Sequence, residues 1–199
     1  MSSYNTIEKE GTAEFKDRGS KFLAYCFPFS DKADLKKHIN ALKKLHPKAG
    51  HFCFAYRIGT DGNNFRSSDD GEPAGSAGKP ILGQIDSKGL TDVLVVVVRY
   101  FGGTLLGVPG LINAYKSTAS FALQVTPIVT KPVLSHIQIQ VDYTLINEVL
   151  QLLKQYGSLI ISQENQLFSI IKAGIPKERE TEIIYKLKNL RNVEISTLL

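Results

Sequence analysis

Val93-Leu-Val-Val-Val-Val-Arg-Tyr-Phe-Gly-Gly-Thr-Leu-Leu-Gly107 opens with the most apolar run of the chain, Val93–Val98, and ends in a glycine-rich stretch. An unbroken apolar body of this length, rich in β-branched side chains, reads as a strand covered on both faces. Phe101–Pro109 reads as the loop after it. Gly110–Gln124 follows as a helix, with Leu111, Ala114, Tyr115, Thr118 and Phe121 at helical spacing. A buried strand feeding a loop and a helix makes the first segment a mixed α/β domain.

Upstream, nine of the sixteen glycines lie between Gly71 and Gly110. Glycine is costly in regular structure and useful where backbone turns sharply or approaches something closely. Ala77–Ser87 reads as a helix nonetheless, with Pro80 in its first turn where a missing N–H costs little. Thr12–Lys16 and Lys21–Phe29 read as a strand pair around Asp17-Arg-Gly-Ser20. His51–Ile58 is a strand, folded back by Asp61-Gly-Asn63 into Phe65–Ser68. Between these pairs, Asp31–His46 reads as an amphipathic helix capped by Ser30 or Asp31 and ended by Pro47 and Gly50. Leu35, Ile39, Leu42 and His46 form its inward stripe, and Lys36, Lys37, Lys43 and Lys44 fall off it.

Downstream, Thr126–Pro132 carries two prolines and reads as a linker or a crossing strand. Val133–Val141 then alternates, with Ile137, Ile139 and Val141 on one face and His136, Gln138 and Gln140 on the other. Leu145, Val149, Leu152 and Tyr156 mark a helix. Ser158–Ser162 and Leu167–Ala173 read as strands around a Glu164-Asn165 turn. Pro176 opens a second helix with Ile183, Leu187 and Leu190, and Val193–Thr197 is a last strand. The order β-α-β-β-α-β is the ferredoxin-like arrangement. The fold class expected for the whole chain is α+β, in two domains, 1–130 and 131–199.

Composition bounds the function. The 199 residues are 43% hydrophobic and 22% charged, which excludes a disordered, collagenous or disulfide-scaffold chain. No run approaches the ~18 apolar residues of a membrane span. The first ten residues lack the basic and apolar regions of a secretory signal. Cys26 and Cys53 read as free thiols of a reducing compartment. The expectation is a cytoplasmic protein without membrane contact. The net charge of +5 lies wholly in residues 1–132, with 17 basic and 12 acidic side chains against seven and seven in 133–199. That surplus permits attraction to phosphate-rich partners.

Three clusters are candidate sites. Lys36, Lys37, Lys43 and Lys44 are either a ridge for nucleic acid or a solvated helix face. Arg99, Tyr100, Gly102, Gly103 and Gly107 precede a helix, where backbone N–H groups and a bidentate guanidinium suit an anion. The same glycines equally allow strand and helix to pack. Neither a dinucleotide nor a P-loop fingerprint is present. Asp69, Asp70 and Glu72 form a possible acidic site, for a cation or acid–base work, or cap the next helix. His51 and Cys53 share a strand face without a third orienting group, no Cys/His set has zinc spacing, and no cofactor is indicated.

Ser67–Leu82, Ser-Ser-Asp-Asp-Gly-Glu-Pro-Ala-Gly-Ser-Ala-Gly-Lys-Pro-Ile-Leu, followed by Val95-Val-Val-Val-Arg-Tyr-Phe-Gly-Gly-Thr-Leu-Leu-Gly107, resembles the YigZ/IMPACT family. The resemblance covers roughly residues 5–125, and the second segment is similar to the small carboxy-terminal domain of the bacterial members. It implies a first domain like the second domain of ribosomal protein S5 and a ferredoxin-like second domain like one of elongation factor G. Eukaryotic members regulate translation initiation through a ribosome-associated kinase activator. Two positions depart from the pattern: Lys116-Ser117 follows Ala114-Tyr115 where glycines are expected, and Pro109 replaces another. Lys116 joins the anion-site candidates on that account. The expected function is a translation-associated regulatory binding protein, holding RNA, the ribosome or a protein linked to it. The alternative is a metal-dependent enzyme acting on a phosphorylated or peptide substrate.

Overall fold

The computed structural model describes residues 2–165 and 167–198. Contacts divide the chain into two units, one spanning Tyr4–Lys131 and the other holding the chain from Pro132 onward together with residues 1–3. Strands β1 (Ser3–Ile7), β2 (Gly11–Asp17) and β3 (Ser20–Pro28) come first, then α1 (Leu35–Leu45), β4 (His51–Ile58) and β5 (Asn64–Ser68). Helix α2 (Gly78–Ser87), β6 (Val93–Tyr100), α3 (Gly107–Val125) and β7 (Ile128–Pro132) complete the first unit.

Five strands form one antiparallel sheet in the order β2-β3-β6-β4-β5. The Val93–Val98 run is its central strand, and each of those six residues is fully buried. Alternation divides them. Val93, Val95 and Val97 face a core built with Ile81 and Ile85 of α2 and Leu111, Tyr115 and Leu123 of α3. Leu94, Val96 and Val98 face a second core with Leu42, Leu35 and Ile39 of α1. Leu42, 4% exposed, is the anchor of that helix; burying such a side chain is worth about 1.5–3 kcal/mol.

The order of the strands fixes an unusual chirality. Strands β3 and β4 are parallel, separated by β6 and joined by α1 over one face. Strands β5 and β6 are parallel, separated by β4 and joined by α2 over the opposite face. Strand direction, direction of travel and covered face are all reversed between the two crossovers, which inverts the hand. One of the two is therefore left-handed, against the strong preference for right-handed connections.

Local boundaries differ from the sequence expectation in physical ways. Asp31 caps a short 3₁₀ turn, accepting from the Ala33 N–H at 2.9 Å, before α1 begins. Helix α3 starts at Gly107, so Pro109 lies in its first turn rather than in the loop. The two-proline segment is a strand, β7, paired with β1, a strand the sequence reading did not foresee. Ile7 of β1 is a core residue.

In the second unit, β8 (Leu134–Val141), α4 (Ile146–Gln155), β9 (Leu159–Asn165), β10 (Ser169–Pro176), α5 (Glu180–Lys188) and β11 (Val193–Thr197) follow in the order β-α-β-β-α-β. The antiparallel sheet runs β11-β8-β10-β9. Ile137, Ile139 and Val141 pack with Val149, Leu153, Ile183 and Leu187 of the helices. Glu164 and Asn165, expected in the turn, belong to β9 and pair with Ile170 and Ser169. Pro176 ends β10, and a 3₁₀ turn, Lys177–Arg179, intervenes before α5.

Candidate functional site

Lys36, Lys37, Lys43 and Lys44 are all exposed on α1, because the inward stripe holds the other side of the helix to the sheet. Among the described residues none of the four pairs with a carboxylate. Lys43 lies over the Phe52 ring, 5.6 Å from its centroid. Beside it opens a cleft of about 400 Å³ lined by Lys43, His46, Pro47, Ala49, Gly50, Phe52 and Asp70.

Tyr100 stands on this α1 face. Its hydroxyl is 2.8 Å from His46 Nδ1, while Tyr25 Oη is 2.6 Å from His46 Nε2. His46 thus ties the end of α1 to β6 and β3. Burial, and secondarily the Lys21 ammonium, lower its pKa, so the neutral ring serves as donor to one tyrosine and acceptor from the other.

Arg99, one residue earlier on β6, faces the opposite core. It is 5% exposed and donates from a terminal nitrogen to Glu72 Oε1 at 2.6 Å. The Tyr115 hydroxyl of α3 donates to the same oxygen at 2.7 Å. The guanidinium sits between the rings of Phe22 and Phe101, 5.5 and 5.7 Å from their centroids, and its buried Nε has no partner. Arg99 is therefore engaged inside the molecule. Lys116, exposed on α3, lies across the sheet from the α1 lysines. Arg99, Tyr100, Lys116 and the four lysines are not brought together: side-chain alternation along β6 sends Arg99 and Tyr100 to opposite faces.

The glycine loop is exposed and partly a packing device. A Cβ on Gly102 would fall 1.9 Å from the Gly19 carbonyl carbon and 2.1 Å from Ser20 N, so this residue admits the β2–β3 turn. The Gly102 N–H donates to Ser20 Oγ at 3.1 Å. Gly103 and Gly107 have φ of +86° and +70°, left-handed conformations that glycine adopts freely.

The three carboxylates diverge. Asp69 accepts from the N–H groups of Gly75, Ala77 and Gly78 at 2.8–3.0 Å, wrapping the loop before α2 around itself. Burial raises its pKa, but the Gly75, Gly78 and Ala77 bonds prevail and leave it below the usual carboxylate value. Asp70 accepts from Phe52 N at 2.7 Å. Glu72 is turned inward to Arg99 and Tyr115. Among the described residues no three His, Cys, Asp or Glu side chains form a cluster that could hold a metal ion.

His51 and Cys53 do share one face of β4. His51 Nδ1 is 2.9 Å from the Asp70 carbonyl, which can only accept, so that nitrogen carries the proton, and Nε2 is 3.9 Å from Glu72 Oε1. Cys53 Sγ donates to the Asp69 carbonyl at 3.0 Å and lies 3.3 Å from Tyr115 Oη. Burial pushes its thiol up to about 12, so it is no thiolate nucleophile at neutral pH. Tyr115 is the organising residue the sequence reading missed as polar. Its helical spacing marked it as inward, but nothing local announced that its hydroxyl would join Cys53 to Glu72.

Residues 18–123 match the model of the Impact N-terminal domain. The chain is 34% identical over 165 residues to the IMPACT family member YigZ of Escherichia coli, covering 82% of this chain and 81% of that protein. It is 36% identical over 113 residues to the protein IMPACT homolog of Saccharomyces cerevisiae, covering 54% of this chain and 42% of that protein. A crystal structure described as that of a hypothetical protein superposes with a TM-score of 0.79 at 30% identity, covering 100% of this chain and 98% of the other.

Proposed function

The chain belongs to the IMPACT family, and from that membership we propose that it is a regulatory binding protein of the translation system that engages RNA, free or within the ribosome, through the lysine face of α1. Tyr4–Lys131 is read as a domain like the second domain of ribosomal protein S5, and the unit from Pro132 as ferredoxin-like, like the elongation factor G domain. Its working place is the cytoplasm.

One observation carries the reading: Lys36, Lys37, Lys43 and Lys44 stand exposed on one short helix with no carboxylate paired to any of them among the described residues. Unpaired cations are free to displace counterions from phosphates. Arg99 is not part of this surface, and Tyr100 serves it from below, by holding His46 and the end of the helix.

A labelled single-stranded RNA titrated by anisotropy tests the proposal. Four phosphate contacts give a salt slope of about −3, or roughly 50-fold weaker binding between ~50 and ~200 mM salt. A variant with all four lysines changed to glutamine should lose both the affinity and most of the slope. Absence of binding at low salt, or unchanged binding by the variant, overturns the proposal.

A further inference from the structure

A second surface lies on the other side of the sheet. Phe101 and Leu105 of the loop before α3 are 57% and 82% exposed, and Val108 and Ile112 of α3 are 45% and 38% exposed. Val108, Ile112 and Lys116 recur every four residues and so line one stripe of the helix. The patch is not a by-product of a disordered end: Leu106 and Leu111, interleaved with it, are buried in the core. Exposed apolar side chains scattered singly need no explanation, but a contiguous set marks an interaction site.

The exposed charges bordering the patch are cations. From Val93 to Val141 the sequence holds Arg99, Lys116 and Lys131 and no aspartate or glutamate. Lys116 is exposed at the end of the stripe. Arg18, exposed on the β2–β3 turn, borders the loop, since Gly19 meets Gly102 at backbone contact. Of the carboxylates near the loop, Glu72 is buried and internally paired with Arg99, and Asp17, half-buried at the end of β2, adjoins Arg18.

We propose that Phe101, Leu105, Val108 and Ile112, rimmed by Arg18 and Lys116, form a docking surface for an acidic amphipathic segment of a partner protein. Leucine-type anchors at helical spacing fill the apolar stripe, and glutamates or aspartates flanking them face the two cations. Charge complementarity selects this occupant. RNA is disfavoured because the helical stripe and the loop tip are aliphatic, Leu105, Val108 and Ile112, so Phe101 is the single stacking plane of the four, where single-strand recognition relies on successive bases stacked on aromatic rings. The surface is separate from the α1 lysines, so its test stands apart from the RNA reading.

The probe is a synthetic amphipathic peptide with leucines at i, i+3, i+4 and i+7 and glutamates between them, compared with the same peptide carrying lysines. Titrated against the full chain, the acidic peptide should bind at least tenfold more tightly and protect amides within 101–116 from hydrogen exchange. Leu105→Asp with Ile112→Asp should reduce binding at least tenfold, and Lys116→Glu should reverse the preference between peptides. Both double-variant sites are exposed, and a far-UV spectrum and melting curve identify any variant that fails to fold; Lys116→Glu then carries the test. Equal binding of the two peptides, protection confined to other segments, or no binding of the acidic peptide overturns the proposal. So does a concentration-dependent dimer, or RNA binding, that Leu105→Asp abolishes, since either reassigns the patch to another occupant.

Discussion

Arg99 of β6 and Glu72 of the loop before α2 meet at 2.6 Å with side-chain exposures of 6% and 4%. The pair, with Tyr115, joins a loop, a central strand and a helix that are far apart in sequence. A buried ion pair adds little over a well-packed apolar pair, but removing one partner strands the other charge in a dry site.

Glu72→Ala should therefore destabilise the first unit by about 3–5 kcal/mol, read as a lower midpoint in urea unfolding. Tyr115→Phe removes one donor to the same carboxylate and should cost about 1–3 kcal/mol. If Glu72→Ala proves the milder of the two, the ion pair does not hold these elements together.

Gly102→Ala and Gly103→Ala separate two uses of glycine. The first places a Cβ within 2.1 Å of the Gly19–Ser20 backbone, while the second meets nothing within 4 Å and suffers only from its φ of +86°. Gly103→Ala should cost about 1–3 kcal/mol from backbone strain. Gly102→Ala should reach or exceed the ~3 kcal/mol upper end of overpacking, because backbone rather than a flexible side chain must move. Thermal melts of the two variants decide the order.

Asp69 supplies an acid-sensitive part of the stability. Its carboxyl titrates below the usual value of 3.8 in the folded chain, despite burial, because three backbone N–H groups bond the charged form. The stabilisation is present above 3.8 and is lost as pH falls through the depressed folded value. Asp69→Asn should flatten the fall in stability below pH ~4. An unchanged acid limb in urea titrations would contradict that role.

Cys26 and Cys53 are buried, and burial pushes both thiols from 9.0 up to about 12. Ellman's reagent should leave the folded chain unmodified at neutral pH and label both thiols after denaturation. The sign of the linkage is the reverse of Asp69: the unfolded thiols ionise from near 9 while the folded ones do not, so stability falls as pH rises from about 9 toward 12. Cys53→Ala should show a shallower alkaline decline than the parent chain.

Much of this architecture is legible from side-chain periodicity. The Val93–Val98 run announced a strand covered on both faces, and the stripe Leu35, Ile39, Leu42 placed α1 with its lysines outward. Alternation from Ile137 to Val141 marked the inner face of β8 correctly. What escaped was relational. Ser3–Ile7 has no pattern of its own and is a strand because β7, more than a hundred residues later, pairs with it. That Arg99 and the α1 lysines stand on opposite faces of the sheet is equally hidden, because it depends on which face each crossover helix covers, and periodicity does not report that. Glu72 offered no local sign that its partner would be Arg99, 27 positions on.

The β1–β7 pairing also sets how small a working fragment can be. The matched segment, residues 18–123, omits β1, β7 and all of β2, yet Ile7 is sealed in the same interior as α3, and β2 is the strand that flanks β3. A recombinant fragment trimmed to that segment would open a hole where Ile7 sits and bare the edge of β3 from Ser20 to Cys26, inviting strand-to-strand aggregation. Expression boundaries for the first unit accordingly belong at the outer ends of β1 and β7, not at the limits of recognisable kinship.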